Sequence, residues 1–187
     1  MNYYNNLIVG IGGGVACGKT SIANYLEKKG FEKINTFSIL ESLAQHIGII
    51  ITKREDLREI FLQMEKEGSS KVLMDEVSKR VNPYQNYVVD SIRYSYQDTF
   101  LKQNYSKRYK LIFLETPIER RHQENILRGR FIGDKGMAID YFIKYIEIDG
   151  EQGINELRKK ADFVLGYHPN IEQRLQELDG YLNRFRF

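Results

Sequence analysis

Gly13-Gly14-Val15-Ala16-Cys17-Gly18-Lys19-Thr20 is the stretch that decides the architecture of this chain. It fits the pattern GxxxxGK[ST] at every fixed position, and each fixed residue type has a physical reason. Glycines let the backbone curve so that N–H groups point inward at phosphate oxygens, and a helix starting at the loop's end adds its positive pole. A lysine at position 19 reaches the β- and γ-phosphates of a nucleoside triphosphate and acts catalytically there. A hydroxyl at position 20 can ligate the Mg²⁺ those phosphates carry. Residues Gly13, Gly14, Val15, Ala16, Cys17, Gly18, Lys19 and Thr20 therefore read as a P-loop, with ATP as phosphoryl donor and Mg²⁺ as obligatory cosubstrate. Cys17 stands at a variable position and reads as a small loop-filling residue rather than a catalytic thiol.

The flanks supply the required context. Leu7, Ile8 and Val9 form a short apolar run that meets the glycines from Gly10 onward, as a buried parallel strand does at its carboxyl end. Ile22, Tyr25 and Leu26 recur at helical spacing between Lys19 and Lys29, and Gly30 is placed to stop that helix. Further out, residues 31–37 read as a second strand, with Ser38 capping a helix that Gly48 interrupts. Thr52 is placed to cap another helix with Glu55 completing a capping box, and residues 70–81 form one more helix presenting Val72, Leu73 and Val77. Strands are expected at Tyr87 to Asp90, Tyr109 to Leu114 and Phe163 to Leu165. Helices are expected from Thr116-Pro117 to Arg128 and from Ile171 to Leu182. The alternation implies a three-layer α/β/α P-loop NTPase fold around a parallel sheet, in one domain spanning residues 1–187. The polar, glycine-bearing stretch 128–153 reads as a mobile cover.

Composition narrows the partners. A chain of 187 residues with 42% hydrophobic and 28% charged residues can bury one sizeable core. A net charge of +3 is too small to imply a nucleic-acid groove but suits a small polyanionic ligand. One cysteine excludes an intrachain disulfide, and no Cys/His group has zinc spacing, so a cytoplasmic setting is expected. The opening residues do not read as a targeting segment, and the run from Leu7 to Val15 is too short and glycine-rich for a membrane span.

Taken in order, the P-loop, Tyr87-Val88-Val89-Asp90-Ser91-Ile92-Arg93, Leu111 to Pro117, Arg128-Gly129-Arg130 and Ala161-Asp162-Phe163-Val164 resemble the nucleotide-kinase-like P-loop family. That family contains nucleoside monophosphate kinases and dephospho-CoA kinases, and the resemblance spans nearly the whole chain. It implies a helical acceptor-binding insert at about 37–81, with Ser38, Thr52 and Arg54 as substrate contacts and Arg54 suited to a phosphate. Thr52 serves equally well as a simple helix cap. The resemblance further implies a mobile lid at about 120–153, whose Arg128 and Arg130 close over the transferring phosphoryl group as catalytic residues. Arg120 or Arg121 could reach the same site. Asp90 ends a strand on the P-loop edge, where it would hold Mg²⁺-bound water or orient the acceptor, and Arg93 is either an acceptor-phosphate ligand or a surface ion pair. Tyr167 and His168 would stand beside the adenine.

The acceptor is read from an absence in the sequence. Transfer to an alcohol benefits from a carboxylate that takes the hydroxyl proton, whereas transfer to an ionised phosphate does not. Dephospho-CoA kinases carry aspartate just after strand two, where this chain reads Asn35-Thr36-Phe37-Ser38. The expected function is thus ATP- and Mg²⁺-dependent phosphoryl transfer to a small-molecule acceptor, a nucleoside or deoxynucleoside monophosphate. Dephospho-CoA and deoxynucleoside kinases remain alternatives, with Asp90 as base. A nucleotide-switch ATPase acting on a protein or RNA partner is a further reading.

Overall fold

The computed structural model describes residues 6–46, 48–53, 56–57, 59–60, 63, 70–131, 133–149 and 153–185. Its framework is a five-stranded, wholly parallel sheet in the order β2-β3-β1-β4-β5. The strands are β1 (Ile8–Gly12), β2 (Glu32–Asn35), β3 (Tyr87–Ile92), β4 (Tyr109–Leu114) and β5 (Phe163–Leu165). The helices are α1 (Lys19–Lys28), α2 (Thr36–His46), α3 (Ser70–Arg80), α4 (Ser95–Tyr105), α5 (Ile118–Arg128), α6 (Ile139–Asp149), α7 (Asn155–Lys160) and α8 (Ile171–Leu182).

Strand periodicity builds the layers. Leu7, Val9 and Ile11 face one side of the sheet and pack with Ile22, Ala23 and Leu26 of α1 and Leu178 and Leu182 of α8. Ile8 faces the other side, where Leu73 and Val77 of α3, Leu101 of α4 and Leu157 of α7 cover the sheet with Val89, Leu111 and Phe113. Both faces are therefore apolar and both are covered, giving the α/β/α arrangement. A third, smaller core joins Leu40 and Ala44 of α2 to Leu57 and Ile60, with Phe37, Ile49, Ile51 and Phe131 packed against it. Because β1 lies between β3 and β4, the loop leaving β1 stands beside the carboxyl ends of both neighbours, the crevice where such sheets bind ligands.

Local differences from the sequence expectations have identifiable causes. β1 runs through Gly12 instead of stopping at Val9, because ladder pairing with β3 and β4 continues to that residue. Ser38 is not a cap: α2 starts earlier, at Thr36, and the Asn35 side chain accepts from Phe37 N at 2.9 Å and Ser38 N at 3.3 Å. Asn35→Ala is expected to cost about 1 kcal/mol, the usual loss for such a cap, read as a lower midpoint in chemical denaturation. Val72, expected on the packed face of α3, is 39% exposed, while Met74 is fully buried in its stead.

Helix α4 has no counterpart in the sequence reading because its buried face is partly polar. Gln97 and Asp98 are each 1% exposed. The Gln97 side chain accepts from Arg93 N and Tyr94 N at the helix start, and Asp98 pairs with Lys102 at 3.1 Å. Part of the expected mobile cover is also ordered helix. α6 buries Phe142 completely, with the His122 ring of α5 at 5.6 Å and the Arg121 guanidinium at 5.8 Å from the Phe142 ring. Among the described residues, no helix is long and apolar enough to cross a membrane.

Candidate active site

The loop between β1 and α1 takes the backbone shape its glycines permit. Gly13, Ala16 and Gly18 have φ of 138°, 57° and 98°. An added Cβ at Gly13 would stand 2.6 Å from Cys17 Sγ and 2.9 Å from the Leu114 carbonyl oxygen, so this position accepts only glycine on both strain and space. At Gly14 an added Cβ would strike the Arg121 guanidinium, which lies against the loop and donates through Nε to the Val15 carbonyl at 2.8 Å. Lys19 curls back over the loop, its Nζ donating to Gly13 O at 2.8 Å and Gly14 O at 2.6 Å. Cys17 is 2% exposed and its thiol is turned into the core beneath the loop.

Two strand ends meet the loop. Asp90 is 1% exposed, and its Oδ2 accepts from Thr20 Oγ1 at 3.0 Å. Its Oδ1 accepts from Ser91 Oγ at 3.1 Å. Ser91 sits at φ 78°, where the register of β1 against β3 shifts, a left-handed conformation costing an L-residue about 1–2 kcal/mol. Thr36 holds that kink by donating to both the Asp90 and Ser91 carbonyls, at 2.9 and 3.1 Å. The fold thus spends strain at the residue following the acid, a pattern associated with functional sites.

These groups open into a cleft of about 770 Å³, within the usual range for small-molecule sites. Val15 to Gly18 of the loop and Lys19 to Ile22 of α1 form its floor. Tyr167, His168 and Pro169 line one end, with Arg120 nearby. Asn35, Thr36, Phe37, Leu57, Ser91 and Arg93 line the other. Arg128 at the end of α5, Arg130 and Phe131 just after it, and Tyr145 of α6 also line the cleft, and the Arg130 guanidinium lies 3.5 Å from the centroid of the Phe37 ring. Among the described residues lining the cleft, Glu124 is the sole acid, and it pairs with Arg120 at 2.7 Å.

The structure therefore gathers Lys19, Thr20, Arg93, Arg128, Arg130, Tyr167 and His168 around one cleft, with Asp90 in contact with its floor. Two expected acceptor contacts do not line it. Ser38 is exposed on α2, and the Thr52 hydroxyl donates to Asp56 Oδ2 at 3.0 Å. The Thr52 and Lys53 amides bond the same carboxylate, and these backbone donors hold the Asp56 pKa below its ordinary value. The cap partner in this turn is thus Asp56. Arg54 and Glu55 lie outside the described residues.

Two residues at the site, Thr116 and Arg174, escaped the sequence reading, and Arg121, one of the pair Arg120 and Arg121 expected to reach the site, contacts the loop from α5. Thr116, just beyond β4, donates to Cys17 O at 3.0 Å, and Arg174 reaches the same carbonyl from α8 at 3.3 Å. Of Thr116 and Arg174, only Arg174 carried a signal, since it falls on the apolar stripe of α8 with Leu175, Leu178 and Leu182.

The same fold occurs in solved structures. A shikimate kinase from Bacteroides thetaiotaomicron aligns with a TM-score of 0.67 at 14% identity, covering 95% of this chain and 98% of that one. A gluconokinase from Sinorhizobium meliloti 1021 aligns at 0.60 and 14%, covering 97% and 94%. A shikimate kinase from Acinetobacter baumannii, in complex with shikimate, aligns at 0.58 and 16%, covering 96% of each chain. The resemblance read from the sequence is met at this level, a P-loop kinase fold. No protein-family model and no curated protein matches the chain in sequence.

Proposed function

We propose that this chain is a cytoplasmic nucleotide kinase that transfers the γ-phosphoryl group of ATP to the phosphate of a nucleoside or deoxynucleoside monophosphate. The observation that carries the reading is the make-up of the cleft opposite the P-loop. It offers cations, Arg93 and Arg130, and aromatic faces, Phe37, Phe131 and Tyr145, while its sole described acid is committed to Arg120. An ionised phosphate needs cations and no base, and a nucleobase needs flat apolar walls.

In this reading the bond between the γ-phosphorus and the β–γ bridging oxygen breaks, and a bond forms from an acceptor phosphate oxygen to the same phosphorus, giving ADP and a diphosphate. Lys19 and the loop amides hold the donor phosphates, Arg128 and Arg130 meet the charge on the moving group, and Arg93 holds the acceptor phosphate. Tyr167 and His168 border the adenine. Mg²⁺ carried by the nucleotide would neutralise charge on the phosphate oxygens. The residues present fit it, since a hydroxyl and a carboxylate, Thr20 and Asp90, meet at 3.0 Å on the cleft floor.

The test is ADP formation with Mg²⁺ and a panel of ribo- and deoxynucleoside monophosphates, nucleosides, dephospho-CoA, shikimate and gluconate. At least one monophosphate is expected to raise turnover well above ATP alone. Turnover confined to the alcohols would replace the phosphate acceptor with a hydroxyl one and make Asp90 the candidate base. A panel that is silent throughout removes the kinase reading.

A further inference from the structure

Arg174 is an unusual residue to find where α8 packs on the sheet. It is 5% exposed, and burial holds its pKa below the ordinary guanidinium value. Its Nη1 donates to Cys17 O at 3.3 Å. Its Nη2 donates to Glu115 O at 3.0 Å, to Leu165 O at 3.4 Å and to Thr116 Oγ1 at 3.4 Å. One planar fork thus joins the P-loop to the carboxyl ends of β4 and β5. Its Nε is buried without an acceptor among the described residues. Packing alone gives no reason to keep a buried cation with an unmet donor, since a shape-matched apolar side chain serves a helix–sheet interface as well or better.

The geometry of the peptide bond supplies a reason. In a trans peptide the carbonyl and the following N–H point in opposite directions. A donor that holds the Cys17 carbonyl therefore turns the Gly18 amide away from itself, and Thr116 holds the same carbonyl from a second side. Gly18 lines the cleft floor. The residues that follow β5, Gly166 to Pro169, leave from the strand end whose Leu165 carbonyl Arg174 also holds.

We propose that Arg174 is a positioning residue for the donor nucleotide. It fixes the Cys17–Gly18 peptide so that the Gly18 amide meets a phosphate oxygen. The proposal rests on the nucleotide-binding half of the reading above and is independent of the acceptor. An amide aimed in this way stabilises ground and transition states alike, so its loss falls on KM rather than kcat.

The test is calorimetric binding of ADP and of adenosine to wild type, Arg174→Met, Arg174→Lys and Thr116→Val. Arg174→Met is expected to weaken ADP about tenfold, leave adenosine within about twofold, and raise KM for MgATP with kcat little changed. Arg174→Lys, able to hold fewer carbonyls, should fall between it and wild type. Thr116→Val, which removes only one hydroxyl, should weaken ADP by a few-fold and decides the matter if Arg174→Met does not fold. Equal losses for ADP and adenosine, or ADP binding unchanged in both variants, would overturn the role of Arg174. Wild-type protein that does not bind ADP would instead remove the nucleotide reading on which the proposal rests.

Discussion

Lys19→Ala is expected to leave a folded protein whose phosphoryl transfer falls by about 10³-fold or more, at the upper end of what loss of one electrostatic contact at a transferring group costs. The lysine lies on the loop surface, bonded to the Gly13 and Gly14 carbonyls, rather than in the core. Its removal takes a positive charge from the β- and γ-phosphates while the loop keeps its backbone shape, which Gly13 and the carbonyl contacts of Arg121, Thr116 and Arg174 maintain. Steady-state ADP formation, set beside a thermal melt, separates the two effects. A melt close to wild type with kcat/KM collapsed is the expected pair; near wild-type turnover would dismiss Lys19 as a phosphate ligand. Lys19→Arg should restore little, because a forked guanidinium on a longer stem does not place its charge where a compact ammonium does.

Asp90→Asn is expected to lower kcat by about 10²–10³-fold at saturating ATP, comparable to removing one preorganised charge from a transfer site. The substitution keeps size and an acceptor oxygen, so Thr20 can still donate to position 90 and the Thr36 bonds to the backbone of Asp90 and Ser91 are untouched. What it removes is the negative charge beside Thr20, where the proposed donor phosphates and their Mg²⁺ would lie. A titration of activity against Mg²⁺ reads this directly: half-saturation should move to higher Mg²⁺ in the variant. If kcat and the Mg²⁺ profile matched wild type while stability changed, Asp90 would be a structural acid that braces the end of β3.

Much of the framework was legible because its signals are local. The P-loop, the strand 109–114 and helix α8 each declare themselves within a few residues, through glycine spacing, an apolar run, or an apolar stripe. Legibility failed where distant residues decide. Asn35 displaces Ser38 as the cap of α2 because β2 stops before Thr36, whose hydroxyl is drawn to the end of β3. Helix α4 hides because Gln97 and Asp98 occupy its buried face. Among the candidate site residues, Lys19, Thr20 and Asp90 follow from motif and strand end. Arg174 acts on a loop far away in sequence, from a helix that reads from sequence as simple cover. Thr52 shows the converse: its spacing suits either a cap or an acceptor contact, and the fold turns its hydroxyl to Asp56.

The small core shared by α2, Leu57, Ile60 and Phe131 has a bearing on the tempo of the reaction. Phe131 follows Arg130 directly, so the chain that carries a proposed catalytic cation is fastened to α2 and the residues after it, the proposed acceptor insert, by apolar packing, with Arg130 itself laid on Phe37. In a kinase working as proposed, that clasp must be undone whenever a diphosphate leaves and remade when the next monophosphate enters. Opening then wets apolar surface once per cycle, a cost that falls on emptying the site rather than on the bond rearrangement. The clock of such an enzyme would be set by the unlatching of Phe37 and Phe131 from their apolar neighbours, right beside the proposed catalytic cation.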